Sequence, residues 1–126
     1  MTAKDERPAA WVGHVILKAA DLPRSTDYWE KIGMRIIETH DTVSVLELRG
    51  GTHLVLLKSD EPLPEGSAAA FDVMVEDVDA ARKRYGELGF EPGEIEVGSI
   101  HRSFKLRDPS GYQVTVNSSH ASDRPV

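Results

Sequence analysis

Apolar and polar residues alternate along this chain in short runs, and the runs recur in a fixed order. In "WVGHVILKA", Val15, Leu17 and Ala19 alternate with His14, Ile16 and Lys18, which predicts a strand over about 12–19. The period then lengthens. Leu22, Ser25, Trp29 and Ile32 fall on one stripe of a helix, with Asp21 placed to cap its start and Gly33 to close it. Alternation returns over 35–40, 42–49 and 52–58, predicting three further strands. A second round follows: a strand over 69–76, Asp77 as a cap, a helical stripe of Val78, Ala81, Tyr85 and Leu88, a closing Gly89, and strands over 93–97, 100–107 and 112–117. Residues 11–34 lie over 67–90 without a gap, pairing Asp21 with Asp77 and Gly33 with Gly89. The predicted class is α+β, built as two tandem βαβββ modules over 11–58 and 68–117 within a single domain 1–126. A Pro- and Gly-containing linker spans 59–67, and a polar tail spans 118–126.

Composition narrows the function classes. The chain has 126 residues, 40% of them hydrophobic, enough for one real core. Its net charge of −6 disfavours nucleic acid and anionic membrane as partners, because phosphate binding depends on clustered Lys and Arg. A small molecule fits better. No cysteine is present, so neither a disulfide framework nor a zinc ribbon arises. The opening "MTAKDERPAA" is polar, and no apolar run is long enough to cross a membrane, so a cytoplasmic location is expected.

The opening "GHVILKAADLPRSTDYWEKIGM", the middle "FDVMVEDVDAARKRYGELGF" and the closing "RSFKLRDPSGYQVTV", in that order and within an internal repeat, resemble the vicinal oxygen chelate superfamily. That group includes glyoxalase I, extradiol dioxygenases and bleomycin-resistance proteins. The resemblance covers about 11–117 and implies an eight-stranded cup, commonly closed across a homodimer, with the ligand inside. Metal enzymes of the family place ligands on the first and last strand of each module. Those positions fall here on His14, Val55, Ala70 and Thr115, and only the first suits a divalent cation. The resemblance therefore implies a binder of a small organic molecule without the usual metal and with no assigned cofactor. The alternative is a metal-dependent lyase, isomerase or dioxygenase using a divalent metal at a shifted site of His14, His53 and Asp72.

Strand periodicity then assigns the cup lining. With His14 inward, Val12, Ile16 and Lys18 share its face. His53 and Leu57 join Val55, Asp72 and Met74 join Ala70, and Gln113 and Asn117 join Thr115. A four-residue DPSG loop would put Phe104 beside Thr115 and turn Arg102 inward. The candidate ligand-binding residues are thus His14, His53, Asp72, Arg102, Phe104, Gln113 and Thr115, over an apolar floor of Ile16, Val55, Leu57, Met74 and Phe104. An inward Asp72 needs a partner, and Arg102 is the simplest. His14 reads either as a hydrogen-bonded barrel histidine or as a ligand contact, and the Asp72–Arg102 pair either as structural or as a handle for a polar substrate. Trp11 and Tyr28 are expected in the core. His101 and His120 receive no role, and whether the protein is catalytic stays open.

Overall fold

The computed structural model describes residues 7–119, so His120 lies outside the described residues. The first module consists of β1 (His14–Ala19), α1 (Leu22–Ile32), β2 (Arg35–Thr39), β3 (Val43–Glu47) and β4 (His53–Lys58). The second repeats it with β5 (Val73–Val75), α2 (Val78–Glu87), β6 (Glu96–Val97), β7 (Arg102–Arg107) and β8 (Gln113–Ser118). Each forms a four-stranded sheet, ordered β1-β4-β3-β2 and β5-β8-β7-β6. The first and last strands of a module run parallel because the helix carries the chain back across the sheet, and the other pairs are antiparallel.

The two helices start in the same way. Asp21 Oδ1 accepts Arg24 N–H at 3.1 Å, and Asp77 Oδ1 accepts Ala80 N–H at 2.9 Å. Gly33 and Gly89 follow the helices at φ of 136° and 82°, where a side chain would be strained. One stripe of each helix packs on its sheet. Leu22, Trp29, Ile32, Val78 and Tyr85 meet Leu17, Leu46, Leu54, Leu56, Phe104, Leu106, Val114 and Val116 in one buried cluster drawn from both modules. Side chains also fasten module to module. Tyr85 Oη donates to Ile32 O at 2.6 Å, Trp29 Nε1 donates to Asp108 Oδ2 at 3.4 Å, and Lys18 N–H donates to Tyr112 Oη at 3.1 Å.

Four expectations need correction. Leu88 is not on the buried stripe: α2 ends at Glu87, and Leu88, at the C-cap just before the left-handed Gly89, is 37% exposed. Trp11 is 68% exposed rather than in the core, whereas Tyr28 is buried. The first strand of module two is only three residues long, with Ala70 in the irregular segment before it. Ser118 belongs to β8 and not to a tail. Among the described residues, no helix is long and apolar enough to cross a membrane.

Candidate functional site

The helices cover one face of each sheet, and the other face stays open. On the first sheet, strand alternation puts His14, Ile16 and Lys18 of β1 on the open face, with His53, Val55 and Leu57 of β4 in register beside them. β3 adds Glu47, Val45 and Val43 opposite His53, Val55 and Leu57. The middle of this face is therefore apolar.

Its edge is a polar row crossing all four strands. His14 pairs with His53, His53 with Glu47, and Glu47 with Arg35. The His14 and His53 ring centroids are 5.8 Å apart and tilted by 57°. His53 Nε2 lies 2.9 Å from Glu47 Oε2, and Arg35 closes on the other oxygen, Oε1. The Arg35 guanidinium, followed by the His53 hydrogen bond, holds the Glu47 carboxyl below the usual carboxylate range.

On the second sheet, a cleft of about 490 Å³ is lined by residues 68–72 together with Lys105, Gln113 and Thr115. Its segment 67–69 is tied to β8 by Ala69 N–H to Gln113 O at 2.9 Å and Gln113 N–H to Ser67 O at 2.8 Å. Asp72 accepts Asn117 Nδ2 at 2.7 Å across the parallel β5–β8 pair. Met74 lies on the same open face, 48% exposed.

Seven residues were expected to line one site, and five of them lie on the open faces. His14 and His53 sit on the first sheet, and Asp72, Gln113 and Thr115 on the second. Phe104 and Arg102 do not belong with them. The loop between β7 and β8 runs over 108–112, because Arg107 pairs with Gln113 and Lys105 with Thr115. Asp108 N–H bonds Tyr112 O at 2.9 Å, Gly111 N–H bonds Asp108 O at 3.0 Å, and Gly111 takes a φ of 104°. One residue more than the expected DPSG loop flips every β7 side chain to the opposite face. Phe104 is consequently 1% exposed, in the core, 6.1 Å from the Tyr85 ring. Arg102 instead forks onto Asp79 of α2 at 2.6 and 3.1 Å, so Asp72 has Asn117 as its partner and not Arg102.

The same register brings in Lys105, which a four-residue loop would turn toward the helix. Glu47 and Arg35 were also missed, since the faces of β2 and β3 depend on a hairpin register that carries a bulge between Ile36 and Glu38. His101 Nδ1 donates to Ser118 O at 2.8 Å.

The residues do not fit the family's divalent metal. Val55, Ala70 and Thr115 stand at three ligand positions. The shifted triad is not assembled either, because Asp72 is on the second sheet and held by Asn117 while the two histidines are on the first. Among the described residues, no group of three or more His, Asp or Glu is arranged to hold a metal ion.

The sequence profile described as Glyoxalase/Bleomycin resistance protein/Dioxygenase superfamily matches residues 11–116. No match was found among curated proteins. Among solved structures, the chain is similar to a lactoylglutathione lyase from Agrobacterium tumefaciens, with a TM-score of 0.71, 19% identity, and 90% of this chain and 96% of that one covered. It is similar to an antibiotic binding protein from a Streptomyces species at a TM-score of 0.75 and 21% identity, covering 90% and 98%. It is also similar to a glyoxalase/bleomycin resistance protein/dioxygenase from Alicyclobacillus acidocaldarius at 0.71 and 23%, covering 92% and 96%. At these identities the likeness speaks for the fold alone.

Proposed function

The chain belongs to the glyoxalase/bleomycin resistance protein/dioxygenase superfamily, and from that premise we propose that it is a cytoplasmic homodimer that binds a small amphipathic organic molecule on the open faces of its sheets, without the usual metal. The observation that carries this reading is the makeup of those faces. Ile16 at 57%, Leu57 at 41% and Met74 at 48% exposure are large apolar side chains left uncovered beside a few placed polar groups, His14, His53, Asp72, Gln113 and Thr115. Such a surface recognises a ligand by burying its apolar body and pairing a small number of its polar atoms. Sequestration of a drug-like compound is one use of this chemistry, and an antibiotic binding protein shares the fold. A chain without cysteine needs no oxidising compartment to fold.

The neutral fluorophore N-phenyl-1-naphthylamine tests this directly. Its emission should rise on titration with the protein, and Thr115→Arg, which fills the second-sheet cleft, should weaken binding by about tenfold, or ~1.4 kcal/mol. Undiminished binding by that variant would remove the cleft from the site, and no emission change with the parent would overturn the reading.

Dimerisation follows from the same uncovered surface. Two open sheets on one small chain leave Ile16, Leu57 and Met74 uncovered, and a second copy is the simplest cover. Multi-angle light scattering should give twice the 13.9 kDa chain mass. A single-chain mass across the micromolar range counts against it.

A further inference from the structure

A second cleft, of about 580 Å³, opens at the seam between the modules, away from the open faces of the sheets. α1 supplies Arg24 and Tyr28 to its wall, the segment leaving α2 supplies Phe90, and the end of β7 supplies Arg107. None of the residues assigned to the open faces lines it.

The fold gives the Tyr28 hydroxyl no use. Tyr28 is 6% exposed, its ring lies 4.3 Å from that of Phe90 between centroids, and its Oη is buried with no hydrogen-bond partner among the described residues. A buried phenol ordinarily finds a partner, because sealing an O–H away from water unpaired is costly and phenylalanine would fill the same space without it. Burial, and then the nearby Asp108 carboxylate, push the phenol's pKa up and keep it a neutral donor. Asp108 is not its acceptor. Both Asp108 oxygens are engaged by Ser110, Tyr112 and Trp29.

Donors outnumber acceptors around this hydroxyl. Arg24 has no carboxylate partner among the described residues, and the Arg107 side chain reaches only the Gly111 carbonyl, at 3.4 Å. On the acidic side, Asp27 is held by Lys31 at 2.7 Å and Asp108 by its three donors, so Glu91 is the one uncommitted carboxylate among the described residues of the wall. Two guanidiniums and a phenol thus face a single carboxylate, beside an apolar surface of Leu88, Phe90 and Pro109.

We propose that the seam cleft is a binding site for a small organic carboxylate with an apolar body, whose carboxylate accepts from Arg24, Arg107 and the Tyr28 O–H and whose body packs on Phe90 and Leu88. Guanidinium and carboxylate are both planar and pair through parallel N–H···O bonds, so two arginines hold the group from two sides. The phenol gains the acceptor it lacks. Arg24 stands on module one and Arg107 on module two, so a bound carboxylate also fastens the seam and stabilises the fold. This site is separate from the open faces and does not rest on the reading given for them.

The probe is 2-naphthoate, with uncharged 2-naphthamide as its isostere. Titrated into nitrogen-15-labelled protein, naphthoate should shift the backbone amides of Tyr28, Phe90 and Arg107 and raise the melting temperature, and naphthamide should bind about tenfold more weakly. Arg24→Gln and Arg107→Gln should each weaken naphthoate about tenfold. Arg49→Gln, which removes an equal charge from an exposed arginine paired with Glu76, should leave the affinity unchanged. Tyr28→Phe should weaken naphthoate about fivefold, yet without naphthoate it should melt no lower than the parent, because the fold makes no use of the hydroxyl. A lower melting temperature for that variant would place the O–H in an internal hydrogen bond and overturn the assignment. Amide shifts confined to Gln113–Thr115 on the open face, equal affinity for naphthamide, or full affinity in both arginine variants would overturn it too. Displacement of N-phenyl-1-naphthylamine by naphthoate would put both compounds on the open faces, with the same consequence for the seam site alone.

Discussion

Trp29→Ala is expected to cost about 3–5 kcal/mol of unfolding free energy, and Tyr85→Ala a similar amount, in urea titrations at one fixed protein concentration. Both side chains are essentially fully buried, at 0% and 2% exposure, and occupy equivalent places in the two helices. Each does more than fill its own module. The Trp29 ring lies 5.8 Å from Phe71 of the second module and its Nε1 donates to Asp108, while Tyr85 packs on Phe104 and donates to Ile32 O of the first module. Truncation therefore opens a cavity at the seam and also leaves a buried polar group unpaired. Tyr85→Phe isolates the second contribution: it keeps the ring, orphans the Ile32 carbonyl, and should cost about 1 kcal/mol. A melting temperature for Trp29→Ala equal to that of the parent would contradict the packing of α1 on its sheet.

These two residues are legible in the sequence, because helical spacing and an ungapped internal repeat name the same positions independently. The β1 and β4 lining is legible for a related reason. His14, Ile16, His53 and Val55 sit in uninterrupted runs where period two admits only two face assignments, and one leaves Leu17, Leu54 and Leu56 to the core. On β7, a count decides the outcome. Its faces depend on whether the turn holds four residues or five, and the Asp108 side chain and the left-handed Gly111 select five. Composition gives no warning, since Phe104 and Lys105 are each plausible on either face until the count is known. Glu47 and Arg35 stand 12 residues apart and meet only through the hairpin pairing of β2 with β3, a non-local fact. Leu88 continues the apolar stripe in sequence, but Gly86 in the last turn weakens the helix there, and the chain leaves it one residue later.

Asp108→Ala is expected to cost about 2–4 kcal/mol, because this one carboxylate organises the loop that sets the β7 register. Oδ1 accepts Ser110 N–H at 3.0 Å and Tyr112 N–H at 2.9 Å, and Oδ2 accepts Trp29 Nε1 at 3.4 Å, so three donors lose their acceptor together. The carboxylate is nevertheless in competition with its surroundings. Burial, at 4% exposure, raises its pKa, and the hydrogen bonds from Tyr112, Trp29, Ser110 and Gly111 oppose that shift without cancelling it. A folded pKa above the unfolded value means that the folded state binds more protons between the two. The stabilisation from the protonated group is then complete below the unfolded value, about 3.9, and is lost as pH rises through the raised folded one. Asp108→Asn removes that titration, so its stability relative to the parent should improve as pH rises from below the ordinary carboxylate range toward neutrality, measured by chemical denaturation at each pH. Relative stability of the Asn variant falling over the same interval would mean that the loop hydrogen bonds outweigh burial and that Asp108 is stabilised as the anion.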